Sequence, residues 1–202
     1  MIDDVRARAR SPRQTRPPVA WALALAWCAI CGWFAFVKGG RVPLLWCVDL
    51  GFHELGHLVM YILPVNEILT AAMGSIMQCA VPLGLAVYFW FLRRDPVASV
   101  VCLAGGATSL QDASVYIADA PYERLALIGG EHDWAFVFDA LHRMDQAGTA
   151  ATIVRDAGLL VLLAAATAAV LGLLGVFANV RTRVVDPDAA SRAKPDDLMP
   201  RR

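Results

Sequence analysis

Long apolar stretches separated by short polar ones dominate the chain. Residues 17–37, PPVAWALALAWCAICGWFAFV, carry no charge, and a helix of that length matches the hydrocarbon thickness of a bilayer. A second stretch, VPLLWCVDLGFHELGHLVMYILPVN, lies between Arg41 and Glu67 and holds Asp49, His53, Glu54 and His57. Residues 68–92 form a third, with Gln78 as its polar group and Pro82 placed to kink it. A fourth begins at Pro96 and stays apolar only to about Leu110, where Gln111 and Asp112 follow. That is short for a full span, so it is expected either to be re-entrant or to cross with Gln111 and Asp112 turned inward. After a loop over 119–133, Trp134 to Met144 reads as an amphipathic helix lying in the interface. Residues 157–180, rich in Ala and Gly, are the cleanest span and suit close helix packing. The pattern predicts an all-α protein, a polytopic helical membrane bundle of four to five transmembrane segments filling residues 19–180. Residues 1–18 read as a basic disordered tail and 181–202 as a disordered C-terminal tail.

Composition agrees with the pattern. Of 202 residues, 58% are hydrophobic, and mean hydropathy is +0.53; soluble domains sit nearer 45–50% apolar. The formal net charge is zero, which argues against a nucleic-acid partner. Residues 17–37 exceed the apolar core of a secretory signal, and Lys38-Gly39-Gly40-Arg41 follows in place of a small-residue cleavage site, so an uncleaved span is expected. Both tails are rich in Arg, and such flanks prefer the cytoplasm. Five crossings would place the tails on opposite sides; four plus a re-entrant fourth segment would place them together. The expectation is a bacterial inner membrane with the N-terminus cytoplasmic. Five cysteines, all in apolar segments, do not form a disulfide framework, and the Cys28/Cys31 pair has no second pair to complete a zinc site.

The candidate chemistry lies in His53-Glu54-Leu55-Gly56-His57. Two histidines four apart share one helical face, so both rings can reach one ion. Ionisable groups are expensive at membrane depth and mark function there. A catalytic zinc, Zn2+, needs a third protein ligand and an open position for water. Glu54 would take the proton of that water during attack on a carbonyl and pass it to the leaving amine. The third ligand must come from elsewhere in the chain. His132 and Asp133 stand out, opening a helix after Gly129 and Gly130; Asp112 comes next. Asp49, one helical step before His53, better suits a partner to an imidazole nitrogen.

Phe52-His53-Glu54-Leu55-Gly56-His57 inside a span resembles the H-E-x-G-H signature of the site-2-protease-like intramembrane zinc metalloproteases, here in a small and divergent form. The resemblance implies that His53 and His57 bind zinc and that Glu54 activates water. It also implies a third ligand that is an aspartate in a later segment, usually in a Leu-Asp-Gly context. No such tripeptide follows His57, and Glu131-His132-Asp133-Trp134 is the best positional counterpart. The expected activity is a zinc metallopeptidase that hydrolyses a peptide bond within or beside the bilayer, with the lipid bilayer and a membrane-protein or peptide substrate as partners. Another zinc-dependent membrane hydrolase and a non-enzymatic metal-binding membrane protein are the alternatives.

Overall fold

A computed structural model describes residues 16–63, 66–127 and 131–184, with side chains as far as 175. Every element among these residues is helical. Helix α1 spans Pro18–Gly32 and runs on through a π-helical turn, Trp33–Val37; α2 spans Leu45–Tyr61, α3 Glu67–Phe91 and α4 Pro96–Asp119. The short α5 covers Asp133–Ala140, and α6 covers Ala147–Val184 after a 3-10 turn at Met144–Gln146. Three segments are long and apolar enough to cross a membrane: Pro18–Val37, Glu67–Phe91 and Met144–Gly175. Their outward faces carry exposed apolar side chains such as Leu23, Val87, Leu160 and Leu171, the surface expected where lipid replaces water.

The helix ends follow local chemistry. Proline stands at the first turn of α1 and α4, where its missing N–H costs nothing. Asn66 caps α3 by accepting from the Ile68 N–H, and Asp95 caps α4 by accepting from Ala98. Pro82 sits inside the unbroken α3, and α4 crosses close by, with Gly106 against the Leu83 side chain.

Helix α4 is the hub, packed against α6, α3 and α1. Its enclosure explains the weak apolar signal beyond Leu110. Ser99, Thr108, Ser109, Gln111 and Ser114 are all buried, and each hydroxyl finds a partner: Ser99 donates to the Ala86 carbonyl (2.8 Å) and Ser109 to Asp49 (2.6 Å). A helix surrounded by protein needs no lipid-facing apolar surface, so α4 continues through Gln111 and Asp112 to Asp119, with those two residues turned inward.

Side-chain pairings give the helix directions. Arg16 forms an ion pair with Asp95, which sets the start of α1 beside the start of α4. Gln78 meets Asp112 and Ser99 meets Ala86, so α3 and α4 are antiparallel. His57 meets Thr70 and His53 meets Gln78, so α2 and α3 are antiparallel. Helix α2 therefore runs in the same direction as α1 and α4. It begins partway along the bundle, where Asp49 meets Ser109. The link from α1 makes this possible: the chain turns at Gly39 (φ 64°), and the Gly40 N–H bonds back to the Phe34 carbonyl (3.0 Å). Helix α6 returns antiparallel to α4. Ala147 and Ala151 cluster with Ile117 and Ala120 at one end, and Ala165 and Ala169 with Val100 and Ala104 further along.

The sequence expectations shift at several boundaries. The amphipathic segment expected over Trp134 to Met144 ends as a helix at Ala140, with His142 at φ 55° closing it. Its Ala135, Val137 and Phe138 are buried, because they pack onto the bundle. The last helix starts at Ala147, earlier than the apolar run at 157, and continues through Val184 into the expected tail. The remainder of both expected tails, along with Gly129 and Gly130, lies outside the described residues.

Candidate metal centre

His53 and His57 occupy adjacent turns on one face of α2, with ring centroids 4.8 Å apart. Close packing against α3 sets their depth. A Cβ on Gly56 would lie 2.4 Å from the Met73 carbonyl oxygen, and a Cβ on Gly74 would lie 2.6 Å from Nε2 of both histidines. A side chain at Gly56 would press on the α3 backbone and one at Gly74 on the two ring tips, so the two glycines let the backbones approach and leave room at the imidazole tips.

Helix α5 brings the third group. Asp133 Oδ2 lies 3.1 Å from His53 Nε2 and 3.3 Å from His57 Nε2. The three ligand atoms lie within 4.8 Å of one another. A tetrahedral zinc with bonds of about 2.0–2.2 Å places its ligand atoms about 3.3–3.6 Å apart, so the constellation fits such an ion with little movement. Two further contacts hold α5 in place. Tyr116 of α4 donates to Asp133 Oδ2 (3.1 Å) and accepts from the Asp133 N–H (3.0 Å), and the Trp134 indole donates to Ser75 (3.0 Å).

The far side of each ring is also committed. His57 Nδ1 donates to the Thr70 carbonyl (2.9 Å), and His53 Nδ1 to Gln78 Oε1 (3.3 Å). With Nδ1 committed as a donor to the acceptor behind it, each ring turns Nε2 to the cavity, where it can donate to Asp133 when protonated and offer its lone pair to an ion when not. Burial raises the Asp133 carboxyl, but the His53 hydrogen bond, the charges of His57 and His53 and the Tyr116 hydroxyl outweigh it. The net effect holds the group below its ordinary value, so it remains an anionic donor.

The centre opens into a cavity of about 450 Å³ that Glu54 also lines, together with Arg41, Trp46, Tyr61 and Glu131. The open side gives a reacting group access next to a carboxylate.

Of the expected site residues, the structure brings together His53, His57, Asp133 and Glu54. His132, the other candidate ligand, is turned away. It caps α5, its Nδ1 accepting from the Ala135 N–H (3.2 Å), and its ring stacks on Tyr116 at 4.3 Å. With Nδ1 accepting, Nε2 carries the proton; it lies 3.5 Å from Asp119 Oδ2, too poorly aligned for a hydrogen bond. Neither nitrogen has a lone pair for an ion. Asp112 is not at the ion position but bonds Gln78 (3.0 Å) and Arg41 (2.9 Å). Asp49 does not support a histidine as expected. Its carboxylate accepts from Ser109, and Gln78 and Thr70 take the ring nitrogens because α3, not the preceding turn of α2, lies behind the rings. Sequence reasoning missed Tyr116 and Gly74; neither has a local signal, since both roles come from helix packing.

No family model matches the chain, nor does any curated protein or solved structure.

Proposed function

We propose that this protein is a membrane-embedded zinc metallopeptidase that hydrolyses a peptide bond within or beside the bilayer. The observation that carries the reading is the convergence of His53, His57 and Asp133 on one point, in a cavity that Glu54 lines. Two imidazoles and a carboxylate with an open fourth position are the donor set of a hydrolytic zinc, which acts as a Lewis acid and makes water acidic enough to deprotonate near pH 7. Glu54 accepts the proton of the attacking water and delivers it to the departing amine. Asp133 and the two histidines hold the ion, and Tyr116 holds Asp133. The likeness of the α2 motif to the site-2-protease-like signature supports the same assignment.

The protein is polytopic in this reading. Helices α3, α4 and α6 each cross, and α1 with α2 makes one further net passage, which gives four to five membrane segments according to whether α2 is counted. The membrane is the bacterial inner membrane, with the arginine-rich N-terminal flank in the cytoplasm. The peptide lies in the cavity beside Glu54, reached from the end of the bundle where α2 and α4 finish.

The direct test is turnover of a quenched-fluorescent library of transmembrane peptides in reconstituted vesicles. Glu54→Gln keeps the shape and removes the base, so turnover falls about 100-fold or more while bound zinc stays at the wild-type level. Full turnover by this variant would end the hydrolase assignment.

A further inference from the structure

The hydrolytic reading leaves one buried wall of the cavity without a role. Gln78 of α3 is 4% exposed and stands between the metal centre and two charges. Its Oε1 faces His53 Nδ1 at 3.3 Å, and its Nε2 donates to Asp112 Oδ2 at 3.0 Å. The other Asp112 oxygen accepts from Arg41 Nε at 2.9 Å. Arg41 reaches this point from the link between α1 and α2, its guanidinium 5.9 Å from the Trp46 ring.

A carboxamide can turn end for end with almost no change of shape. Reversed, the Gln78 amide would present N–H to His53 Nδ1. The ring would then carry its proton on Nε2 and have no lone pair for an ion. A carboxylate next door forbids the reversal. Both Asp112 oxygens accept, one from Arg41 and the other from the Gln78 amide, so the amide offers Asp112 its NH2 end and keeps the oxygen for His53. His57 needs no such device, because the Thr70 backbone carbonyl on its Nδ1 cannot turn.

We infer that Arg41, Asp112 and Gln78 form a hydrogen-bonded relay that sets the tautomer and ring orientation of His53, with Gln78 and Asp112 as positioning residues for the metal. This rests on the metal-site reading of His53, His57 and Asp133. The orientation passes from a fixed cation through an anion and an amide to a ring nitrogen, and no member touches the ion. Asp49, also buried nearby, bonds Ser109 and stands outside the relay.

The relay predicts a rescue. In Gln78→Glu the new carboxylate still accepts from His53 but faces Asp112, carboxylate against carboxylate. In Asp112→Asn one oxygen must serve two donors. With both substitutions every group is paired again. The asparagine amide donates to the introduced carboxylate, which removes the repulsion, and the asparagine oxygen accepts from Arg41.

The experiment measures zinc affinity by dye competition, and the visible spectrum of the cobalt-loaded protein, on the full chain in mild detergent. Each single substitution weakens zinc about 10–100-fold and alters the cobalt bands. The double variant regains most of the affinity and the wild-type bands, and Asp49→Asn, off the relay, stays at wild type. Single variants that match the wild type overturn the relay while the metal site stands. A double variant whose loss is the sum of the single losses also overturns it, because independent packing defects add. A wild-type chain that takes up no zinc or cobalt overturns the metal-site reading and the relay together.

Discussion

One covalent step along the chain separates Asp133 from His132, yet the two serve different purposes. The backbone enters α5 with His132 extended (φ −101°, ψ 102°), which sends its side chain back to the Ala135 N–H as a cap. Asp133, the first helical residue, projects to the other side, toward α2. Substituting each tells the roles apart. Asp133→Ala removes a donor from the centre, and zinc content falls from about one per chain to near zero. His132→Asn keeps a capping acceptor, so zinc stays at about one per chain. Metal analysis of the detergent-purified variants reads both; the reverse pattern would place the third donor on His132. The sequence separates His53, Glu54 and His57 cleanly because their spacing is local. It does not separate His132 from Asp133, since one residue at a helix start decides which side chain turns inward. Gln78 was visible as a polar group in an apolar run, but its partners come from α2 and α4, and no local pattern encodes that antiparallel register.

At the scale of elements, the site depends on how closely α2 and α3 approach. Three glycines grade this dependence. Gly51 on α2 has open space where a Cβ would sit, whereas Gly56 would meet the α3 backbone and Gly74 both imidazole tips. Gly51→Ala is expected to keep zinc and, by removing a flexible residue from a helix interior, to raise stability by up to about 1 kcal/mol. Gly56→Ala must push the helices apart, which costs about 1–3 kcal/mol and lowers metal affinity. Gly74→Ala is expected to expel the metal while helix content is kept, because its methyl occupies the space of two ligand nitrogens. Thermal melting in detergent with parallel metal analysis measures all three; zinc retained by Gly74→Ala would mean that the rings sit elsewhere. The helices themselves were largely legible from apolar length, α3 and α6 above all. Helix α4 was the exception, since its Gln111 and buried serines lowered an apolar signal that burial inside the bundle had made unnecessary.

At the scale of the whole molecule, the pairings bear on a question that charge counting left open. Arg16 beside Asp95 puts the start of α1 at the same end as the α3–α4 turn. Gly172 against Trp21 brings the later part of α6 to that end too. Helices α1 and α2 run in one direction; in the proposed topology they carry the chain across once, and α3, α4 and α6 complete an even number of passages. In that topology the irregular passage is the second apolar segment. Charges of both signs stand at each end: Arg16, Arg93 and Arg94 with Asp95 at the α1-start end, and Glu67, Asp119, Glu123, Arg124, Glu131 and Arg143 at the other, beside the candidate metal centre. The proposed orientation puts the α1-start end, with its arginine-rich N-terminal flank, in the cytoplasm and would set the cavity toward the opposite face. Epitope tags at both ends of the chain are then expected to be protected together from protease added to intact spheroplasts, and a tag inserted between Glu123 and Arg124 to be cleaved. Tags on opposite sides would mean that α2 makes a full passage of its own in addition to Pro18–Val37, which is by itself long and apolar enough to cross; the Asp49–Ser109 contact midway along α4 opposes that, because it starts α2 partway along the bundle and running the same way as α1.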